Sequence, residues 1–448
     1  MTSVLRELAT GLTVCLVAVS CAGGETRGGQ SAPSATNWPD VTSEASSDAS
    51  GPVPTDQSEL LFDPTVMHEV TMEINERDLD QLDPPTDDRV PAALTVDGRT
   101  AYGVGVRLKQ GAAQFQGLDE KPGFSIETDE FVAGLELFDV DRFTLGNAAL
   151  DHSFVAEQLV YDLFRAANIP AARTALARVT VNGETFGIYV MRETYDVRWL
   201  AQYFEDPSGN LYETPGGPDD MVLELRTNER LDDTSDLATV VEVVETASDE
   251  EYRDAIEQLV DVDELLTYWA VEAVAAHWDG YAYDVTAPGL VPPPARPPGN
   301  PWPNNFYVYH DPGTDKFVFI PHGADLALGL GAGSNYDVDP SMPVLVAPKE
   351  GATIASRLWG EPEVRTELAE RIRWVLEEVW DADALTERAE LFAALVRADG
   401  LTGSREYVTM AQFEDALAAR KDFIARRAPA VVAELATWES GDGSGEGP

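Results

Sequence analysis

Charged and amide side chains occur along the chain in an order that suits the transfer of a phosphoryl group. That reaction needs a lysine for the nucleotide phosphates, a helical glutamate to hold the lysine, a carboxylate base and oxygen ligands for a metal ion. The chain offers residues of each type in sequence order: Lys109, Lys121, Glu157, Asp279, Asn304, Asn305 and Asp325. Lysine is scarce, with five in the whole chain, and two of the five lie around a glycine-containing loop. This scarcity favours function over the alternative that both are ordinary surface lysines.

Other reaction classes lack the residues they need. The two cysteines, Cys15 and Cys21, both lie in an N-terminal leader, so the mature domain has no cysteine nucleophile, thiolate metal site or internal disulfide. The isolated histidines His68, His152 and His310 do not have metal-ligand spacing, which argues against a zinc hydrolase. No Gly-x-Ser-x-Gly elbow and no Walker lysine motif occurs in the sequence.

Alternating apolar residues predict strands in the first half of the chain. Asp-Gly at 97–98 and Asn-Gly at 182–183 indicate two hairpin turns. Between them we expect a helix that begins at Asp151 or Ser153 and ends at Asn168. The first half is therefore predicted to be a twisted antiparallel sheet with one packed helix.

The second half has mainly helical spacing, in residues 265–274, 364–379 and 411–435. One hairpin is predicted over 306–320, and the proline-rich segment 287–303 reads as an exposed loop. The predicted fold class is α+β, with a β-rich N-lobe that holds one helix and a mainly helical C-lobe that contains a hairpin. That is the architecture of a protein kinase, although architecture alone decides little about function.

The chain carries 79 acidic and 31 basic side chains, and its formal net charge of -48 argues against nucleic acid partners. Residues 1–21 read as an export signal whose last five residues, VAVSC, resemble a bacterial lipobox ending at Cys21. The alternative is that Cys21 is an ordinary leader residue. We expect 22–60 to be a disordered Gly/Ser/Pro/acidic linker, 61–438 to be one folded domain and 439–448 to be a disordered tail.

Six segments together resemble the CotH (spore coat protein H) family of atypical protein kinases. They are VGVRLK at 104–109, KPGF at 121–124, VNGETFGIYV at 181–190, HWDGY at 277–281, NNFY at 304–307 and FIPHGAD at 319–325. Each segment is weak by itself, but their order and spacing are fairly specific. The resemblance covers roughly residues 62–435 and implies a kinase-like fold with ATP and Mg²⁺ or Mn²⁺ as cofactors.

Carried over to this sequence, the resemblance implies that Lys109 or Lys121 contacts the nucleotide phosphates. Lys121 is the preferred equivalent of the kinase lysine, with Glu157 as its helical partner. The loop that contains Gly111 would cover the phosphates with backbone amides, although a turn of this kind is equally an ordinary hairpin connection. Glu193 is assigned to nucleotide binding as well.

Asp279, in the HWD segment, is implied as the catalytic base, although an aspartate here can also simply end a helix. Asn304 or Asn305 would bind the metal through its amide oxygen, and Asp325 would bind it through its carboxylate. His322 is either a ligand or an acid or, as is commoner after a buried strand, a structural group.

Two departures from the family pattern stand out. Many relatives read Trp-Asp-x-Asp where this chain reads HGAD at 322–325, so one acid near the metal is missing. Ala112 and Ala113 replace the polar residues that usually follow the loop glycine. Both changes predict weaker metal or phosphate binding and leave a pseudokinase possible.

The function implied is the ATP-dependent phosphorylation of serine or threonine in surface or exported proteins, by an extracytoplasmic protein attached to the membrane only through Cys21. ATP is scarce outside the cytoplasm, which weighs against catalysis. A catalytically inactive scaffold or adhesion protein is the first alternative, and the missing acid at Gly323 favours it. A calcium-dependent carbohydrate-binding protein is the second, with only the acidic surface and exposed aromatic residues in its favour.

Overall fold

The computed structural model describes residues 56–82, 86–109, 116–285, 302–329 and 338–440. The strands in these residues are β1 Met67–Ile74, β2 Val90–Val96, β3 Arg99–Leu108, β4 Phe124–Glu127, β5 Arg142–Gly146, β6 Thr174–Val181, β7 Glu184–Glu193, β8 Leu211–Glu213, β9 Glu224–Leu225, β10 Phe306–Asp311 and β11 Lys316–Pro321. The α-helices are α1 Ser58–Leu61, α2 Glu76–Leu82, α3 Ala156–Ala166, α4 Val197–Tyr203, α5 Ser235–Thr246, α6 Asp249–Ile256, α7 Val262–Ala275, α8 Thr353–Trp359, α9 Pro362–Trp374, α10 Ala382–Asp399 and α11 Met410–Ser440. A 3₁₀ turn spans Ala324–Leu326, and a π-helical turn, Val375–Val379, continues α9.

The first seven strands close into a barrel in the order β1-β2-β3-β4-β5-β7-β6. The barrel closes because β1 pairs in parallel with β6, with residues 67–72 opposite residues 176–181. Asn182, in the turn after β6, reinforces this closure: its Oδ1 accepts the backbone N–H of Ile74 at 2.7 Å, and its Nδ2 donates to the Ile74 carbonyl at 2.8 Å. Alternate residues of β1 and β2 point inward and are buried in the barrel core.

The prediction of a kinase-like N-lobe is therefore wrong. The structure is α+β, but its N-terminal region is a closed seven-stranded barrel and not the predicted sheet. The alternation of apolar residues does identify the strands and both hairpin turns, at 97–98 and 182–183. It does not reveal the parallel pairing of β1 with β6, because that contact joins residues about a hundred positions apart.

The predicted helix of the first half is confirmed as α3. The helix begins at Ala156, a few residues after the predicted Asp151 or Ser153. Asp151 Oδ2 accepts the backbone N–H of Ala156 at 2.8 Å and so satisfies a free donor of the first turn. Asn168 follows the helix in the left-handed backbone conformation, with a φ of 61°. One face of α3 packs into the main core, which it shares with α7 and the sheet of the second half.

The second half is mainly helical, as predicted. Its hairpin of β10 and β11 forms as expected but belongs to a four-stranded sheet in the order β11-β10-β8-β9, which sequence reasoning missed. The helix α7 lies at the centre of this region and is buried on nearly all sides.

The predicted signal peptide, most of the predicted linker and nearly all of the predicted tail lie outside the described residues. Ser58–Leu61, at the end of the predicted linker, forms α1. In the part of the chain that the structure describes, no helix combines the length and the apolar character needed to span a bilayer.

Candidate active site

The candidate site lies where α3 and the end of β7 approach the 3₁₀ turn after β11. Glu157 stands in the first turn of α3, and Arg192 is the last residue but one of β7. Arg192 Nη1 donates to Glu157 Oε1 at 2.7 Å, and the hydroxyl of Tyr161, one turn along α3, donates to the same oxygen at 3.1 Å. Burial opposes the charge of Arg192, but Glu157, Tyr161 and Tyr195 together outweigh burial and raise the pKa of this guanidinium. Arg192 therefore keeps its positive charge inside the protein.

Lys109 comes directly after β3, and the charges of Arg192 and Glu157 act on its side chain as well. Burial and the nearby Arg192 lower the pKa of Lys109 to about 7, against the opposing effect of Glu157 and Asp325. Among the described residues, no carboxylate lies within ion-pair distance of its ammonium. Lys109 is therefore a partly desolvated amine beside a fixed cation.

Lys109 and Arg192 line a cavity of about 480 Å³. This volume is in the range of sites for small molecules and cofactors. Six of its lining residues are cationic and five are acidic: Arg89, Arg107, Lys109, Arg142, Arg192 and Arg226 against Asp87, Glu193, Glu213, Glu224 and Glu229. In a chain with a formal net charge of -48, a cavity with more cations than anions is a local exception that suits an anionic ligand.

His322 forms part of the same cavity wall. Its Nε2 lies 3.4 Å from Arg192 Nη2, and the rings of Tyr195 and Tyr307 pack edge-on against the imidazole. Burial, reinforced by the positive charges of Arg192 and Lys109, holds the pKa of His322 well below its usual range. His322 is therefore a neutral imidazole, and Nε2 can accept a hydrogen bond only if Nδ1 carries the proton.

Asp279 and Asn305 are brought together as the sequence predicted. Asn305 Nδ2 donates to Asp279 Oδ2 at 2.8 Å and to the Asp279 carbonyl at 3.0 Å, and Asn304 Nδ2 lies 3.4 Å from the same carboxylate oxygen. Asp279 belongs to the loop after α7, and both asparagines lie just before β10. The two amides orient the Asp279 carboxylate.

Asn305 also explains why position 323 is a glycine. Gly323 has a φ of 52°, in the left-handed region. A Cβ built on Gly323 would lie 2.4 Å from Asn305 Oδ1 and 2.6 Å from Asn305 Cγ, which is closer than non-bonded atoms approach. The amide of Asn305 thus occupies the space that a side chain at position 323 would need.

Asp325 lies in the 3₁₀ turn, close to an excess of negative charge. Burial, together with the carboxylates of Glu157, Asp279 and Asp151, raises the pKa of Asp325 to about 8 against the opposing effect of Arg192. A cation would relieve this repulsion. Among the described residues, no three His, Cys, Asp or Glu side chains are grouped closely enough to hold a metal alone. The assignment of Asn305 and Asp325 to Mg²⁺, with water and substrate phosphates as the other ligands, stays a prediction.

Lys121 lies elsewhere, and its predicted pairing with Glu157 is wrong. The Lys121 ammonium is completely buried and donates to both carboxylate oxygens of Glu406, at 2.9 and 2.8 Å. The rings of Phe154, Tyr189 and Tyr407 surround it at 5.0 to 5.5 Å. Glu157 takes Arg192 as its partner instead, because Arg192 reaches the cavity from β7.

The remaining predicted nucleotide-binding residues have different outcomes. Glu193 does line the cavity, but its carboxylate accepts hydrogen bonds from the Arg173 guanidinium and from Gln202. Gly111, with Ala112 and Ala113, lies outside the described residues.

Arg192 is the functional candidate that sequence reasoning missed. A usable signal was present, because Arg192 follows an uninterrupted run of buried residues at 186–191 in β7. Charged residues are seldom fully buried unless they are paired. An arginine at such a position therefore predicts a buried carboxylate partner.

Comparison with known proteins identifies a family. The model of a family described as CotH kinase protein matches residues 111–431 of the 448. The chain therefore belongs to the CotH kinase family and is a kinase-like protein. The match includes Glu157, Arg192, Asp279 and Asp325 and begins just after Lys109. A search of curated proteins found no match to this chain.

Proposed function

We propose that this protein is an ATP-dependent kinase that phosphorylates serine or threonine hydroxyls of surface or exported proteins. The observation that carries the proposal is the cavity in which Lys109 and Arg192 gather positive charge close to Asp325. Membership of the CotH kinase family supports the reaction class. Lys109, one of the two lysines predicted to contact the phosphates, and Arg192 take the role for which Lys121 was preferred.

Lys109 and Arg192 bind the phosphates, and Glu157 holds Arg192 in place through their hydrogen bond of 2.7 Å. Asp279 accepts the proton of the substrate hydroxyl while the hydroxyl oxygen bonds to the γ-phosphorus and the bond to the β-phosphate oxygen breaks, releasing ADP. Asn305 keeps the Asp279 carboxylate oriented towards that proton. Magnesium, when bound through Asn305 and Asp325, neutralises charge on the phosphates.

The test is phosphoryl transfer from labelled ATP, with Mg²⁺ or Mn²⁺, to the chain itself and to casein as a model protein substrate. We expect Asp279→Asn to lower the rate by about 10²–10⁴-fold, the usual contribution of a general base. Asp325→Asn and Lys109→Met should also lose transfer. Lys316→Met is the matched control, because Lys316 begins β11 and does not line the cavity.

Nucleotide binding separates the kinase from its main alternative, an inactive scaffold of the cell surface. The packing of Asn305 against Gly323, where relatives carry an acid, is the observation that favours the scaffold. A kinase must show a rise in melting temperature with Mg·ATP, since a ligand that binds only the folded state stabilises it. If the parent protein shows neither transfer nor this rise, the kinase proposal is wrong and the scaffold stands.

The export signal and lipobox-like sequence support an extracytoplasmic location with a lipid anchor at Cys21. Labelled palmitate should be incorporated into the parent expressed in bacteria and not into Cys21→Ala. Equal incorporation into both would contradict the anchor.

A further inference from the structure

The loop that carries Asp279 has an unusual amount of buried charge behind it. The helix α7 ends at Ala275, and Ala276 turns the chain through the left-handed conformation with a φ of 52°. Residues 277–283 then fold back over the last turn of the helix without belonging to a strand or helix. The backbone groups of such a segment need partners from side chains.

Glu272, in the last turn of α7, provides acceptors for one side of the loop. Its carboxylate is completely buried and accepts the backbone N–H groups of Tyr281 at 2.6 Å, Ala282 at 2.8 Å and Tyr283 at 3.3 Å. The loop approaches so closely that a Cβ on Gly280 would lie 2.0 Å from Glu272 Oε1. Glycine at 280 is thus required by this contact.

Lys349 provides donors for the other side. Its ammonium is also completely buried and donates to the carbonyl of Gly280 at 2.7 Å and to the carbonyl of Trp302 at 3.2 Å. The same Gly280 carbonyl accepts the backbone N–H of Asn304 at 3.1 Å. Lys349 therefore connects the Asp279 loop to the segment that carries Asn305.

A buried carboxylate and a buried ammonium are costly to desolvate, and apolar residues would fill the same space more cheaply. The two charges instead fix the geometry of the loop. Geometry matters here because a displacement of about 1 Å in a reacting group can lower a rate about 10²-fold. We propose that Glu272 and Lys349 are positioning residues that hold Asp279 and Asn305 in register for phosphoryl transfer. This inference rests on the proposed function.

Two measurements on the full chain test it, with Glu272→Gln and Lys349→Met as variants. Gln keeps one acceptor oxygen and replaces the other with an NH₂ group that donates, so it opposes at least one of the backbone N–H groups that Glu272 holds. Glu264→Gln is the matched control, because Glu264 lies two turns earlier on α7 and accepts one backbone N–H, from Phe319, outside the loop. The measurements are amide hydrogen exchange of residues 277–283, and kcat and KM for ATP.

We expect both variants to exchange the 277–283 amides at least about tenfold faster than the parent. They should lower kcat about 10²-fold while KM for ATP stays within about twofold, the pattern of a lost transition-state geometry. Glu264→Gln should change neither quantity. Unchanged exchange, or faster exchange with unchanged kcat, would overturn the positioning role.

The exchange measurement does not depend on activity. If the parent transfers no phosphoryl group, the proposed function and the positioning role of Glu272 and Lys349 in transfer both fail. The exchange result still decides whether the two residues restrain the loop. If only the positioning role is wrong, the parent still transfers the phosphoryl group.

Discussion

Lys109 and Arg192 are two cations with different dependence on pH. Arg192 stays charged because Glu157 raises its pKa, while burial lowers the pKa of Lys109 to about 7. At neutral pH, without a ligand, Arg192 therefore contributes a permanent positive charge and Lys109 contributes one that is only partly formed. A polyanionic ligand favours the charged form of Lys109, so this lysine takes up a proton as the ligand binds.

Lys109→Met should reduce the pH dependence of nucleotide binding. In the parent, affinity for ADP without metal is expected to increase as pH falls from about 8 to about 6, because the Lys109 ammonium forms and the Asp325 carboxylate loses its charge in that interval. Calorimetry at several pH values measures the change. A parent and a Lys109→Met variant with the same pH slope would contradict the assignment of Lys109 to the phosphates.

The same variant should be more stable than the parent. The pKa of Lys109 is about 7 in the folded chain and about 10.4 in an unfolded chain, so the unfolded state binds more protons between these values. The free energy of unfolding therefore decreases as pH falls from about 10 to about 7. At pH 7, Lys109→Met should unfold at higher urea concentration than the parent, as expected where a binding group is held at the expense of stability.

The segment between α10 and α11 joins the helical region to the barrel. Ser404 and Arg405 donate backbone N–H groups to the carbonyls of Thr185 and Phe186 at 2.8 and 3.0 Å, which adds a short stretch of chain beside β7. The Glu406 side chain then packs against Gly187, so closely that a Cβ on Gly187 would lie 2.5 Å from Glu406 Oε2. The buried ion pair with Lys121 completes this connection.

Glu406→Gln should destabilise the protein by about 3–5 kcal/mol, because it leaves the completely buried Lys121 ammonium without its counter-ion. Urea unfolding measures the loss. Glu184→Gln is the control: Glu184 forms an exposed ion pair with Arg405 in the same connection, and its loss should cost no more than about 1 kcal/mol. Equal effects of the two substitutions would show that burial of the Lys121 pair contributes nothing.

Local patterns in the sequence were sufficient for several elements but not for β4, β5, β8 and β9 or for the closure of the barrel. The hairpin turns at 97–98 and 182–183, the helix after Asp151 and the hairpin of β10 and β11 all follow from turn chemistry, capping and apolar spacing. The parallel pairing of β1 with β6 has no such local signal. The kinase-like fold was wrong for this reason.

The site was predictable to a similar degree. Asp279 and Asn305 were both predicted as site residues and do meet, because each lies next to a recognisable element, whereas their roles as base and metal ligand stay predictions. The lysine was misassigned because the partner of Lys121, Glu406, is 285 residues away in sequence. Residue spacing within the first half of the chain cannot distinguish a lysine that faces a cavity from one that is buried among aromatic rings.

The molecule as a whole carries a charge that opposes its own folding. The formal net charge is -48, and self-repulsion of this kind destabilises the compact state. Raising ionic strength from about 10 mM to about 300 mM shortens the Debye length to less than about 10 Å and weakens the repulsion. We expect the melting temperature to rise over that range by differential scanning calorimetry.

Choline chloride is the control for this prediction, because it screens charge without a small cation that carboxylates bind. If screening of the net charge is the cause, the melting temperature should rise equally in sodium chloride and in choline chloride. A rise in sodium chloride alone would mean that specific cation binding, and not the net charge, limits stability.

The contact between Asn305 and Gly323 also bears on how this sequence can change. An aspartate cannot be introduced at 323 while the Asn305 amide occupies the position of its Cβ, 2.4 Å from Oδ1. Asn305 cannot be exchanged freely either, because it orients Asp279. The two positions are therefore epistatic: a side chain at 323 is expected to be tolerated only together with a change at 305, and a change at 305 alone releases the Asp279 carboxylate. An acid at 323 is thus two substitutions away from this sequence.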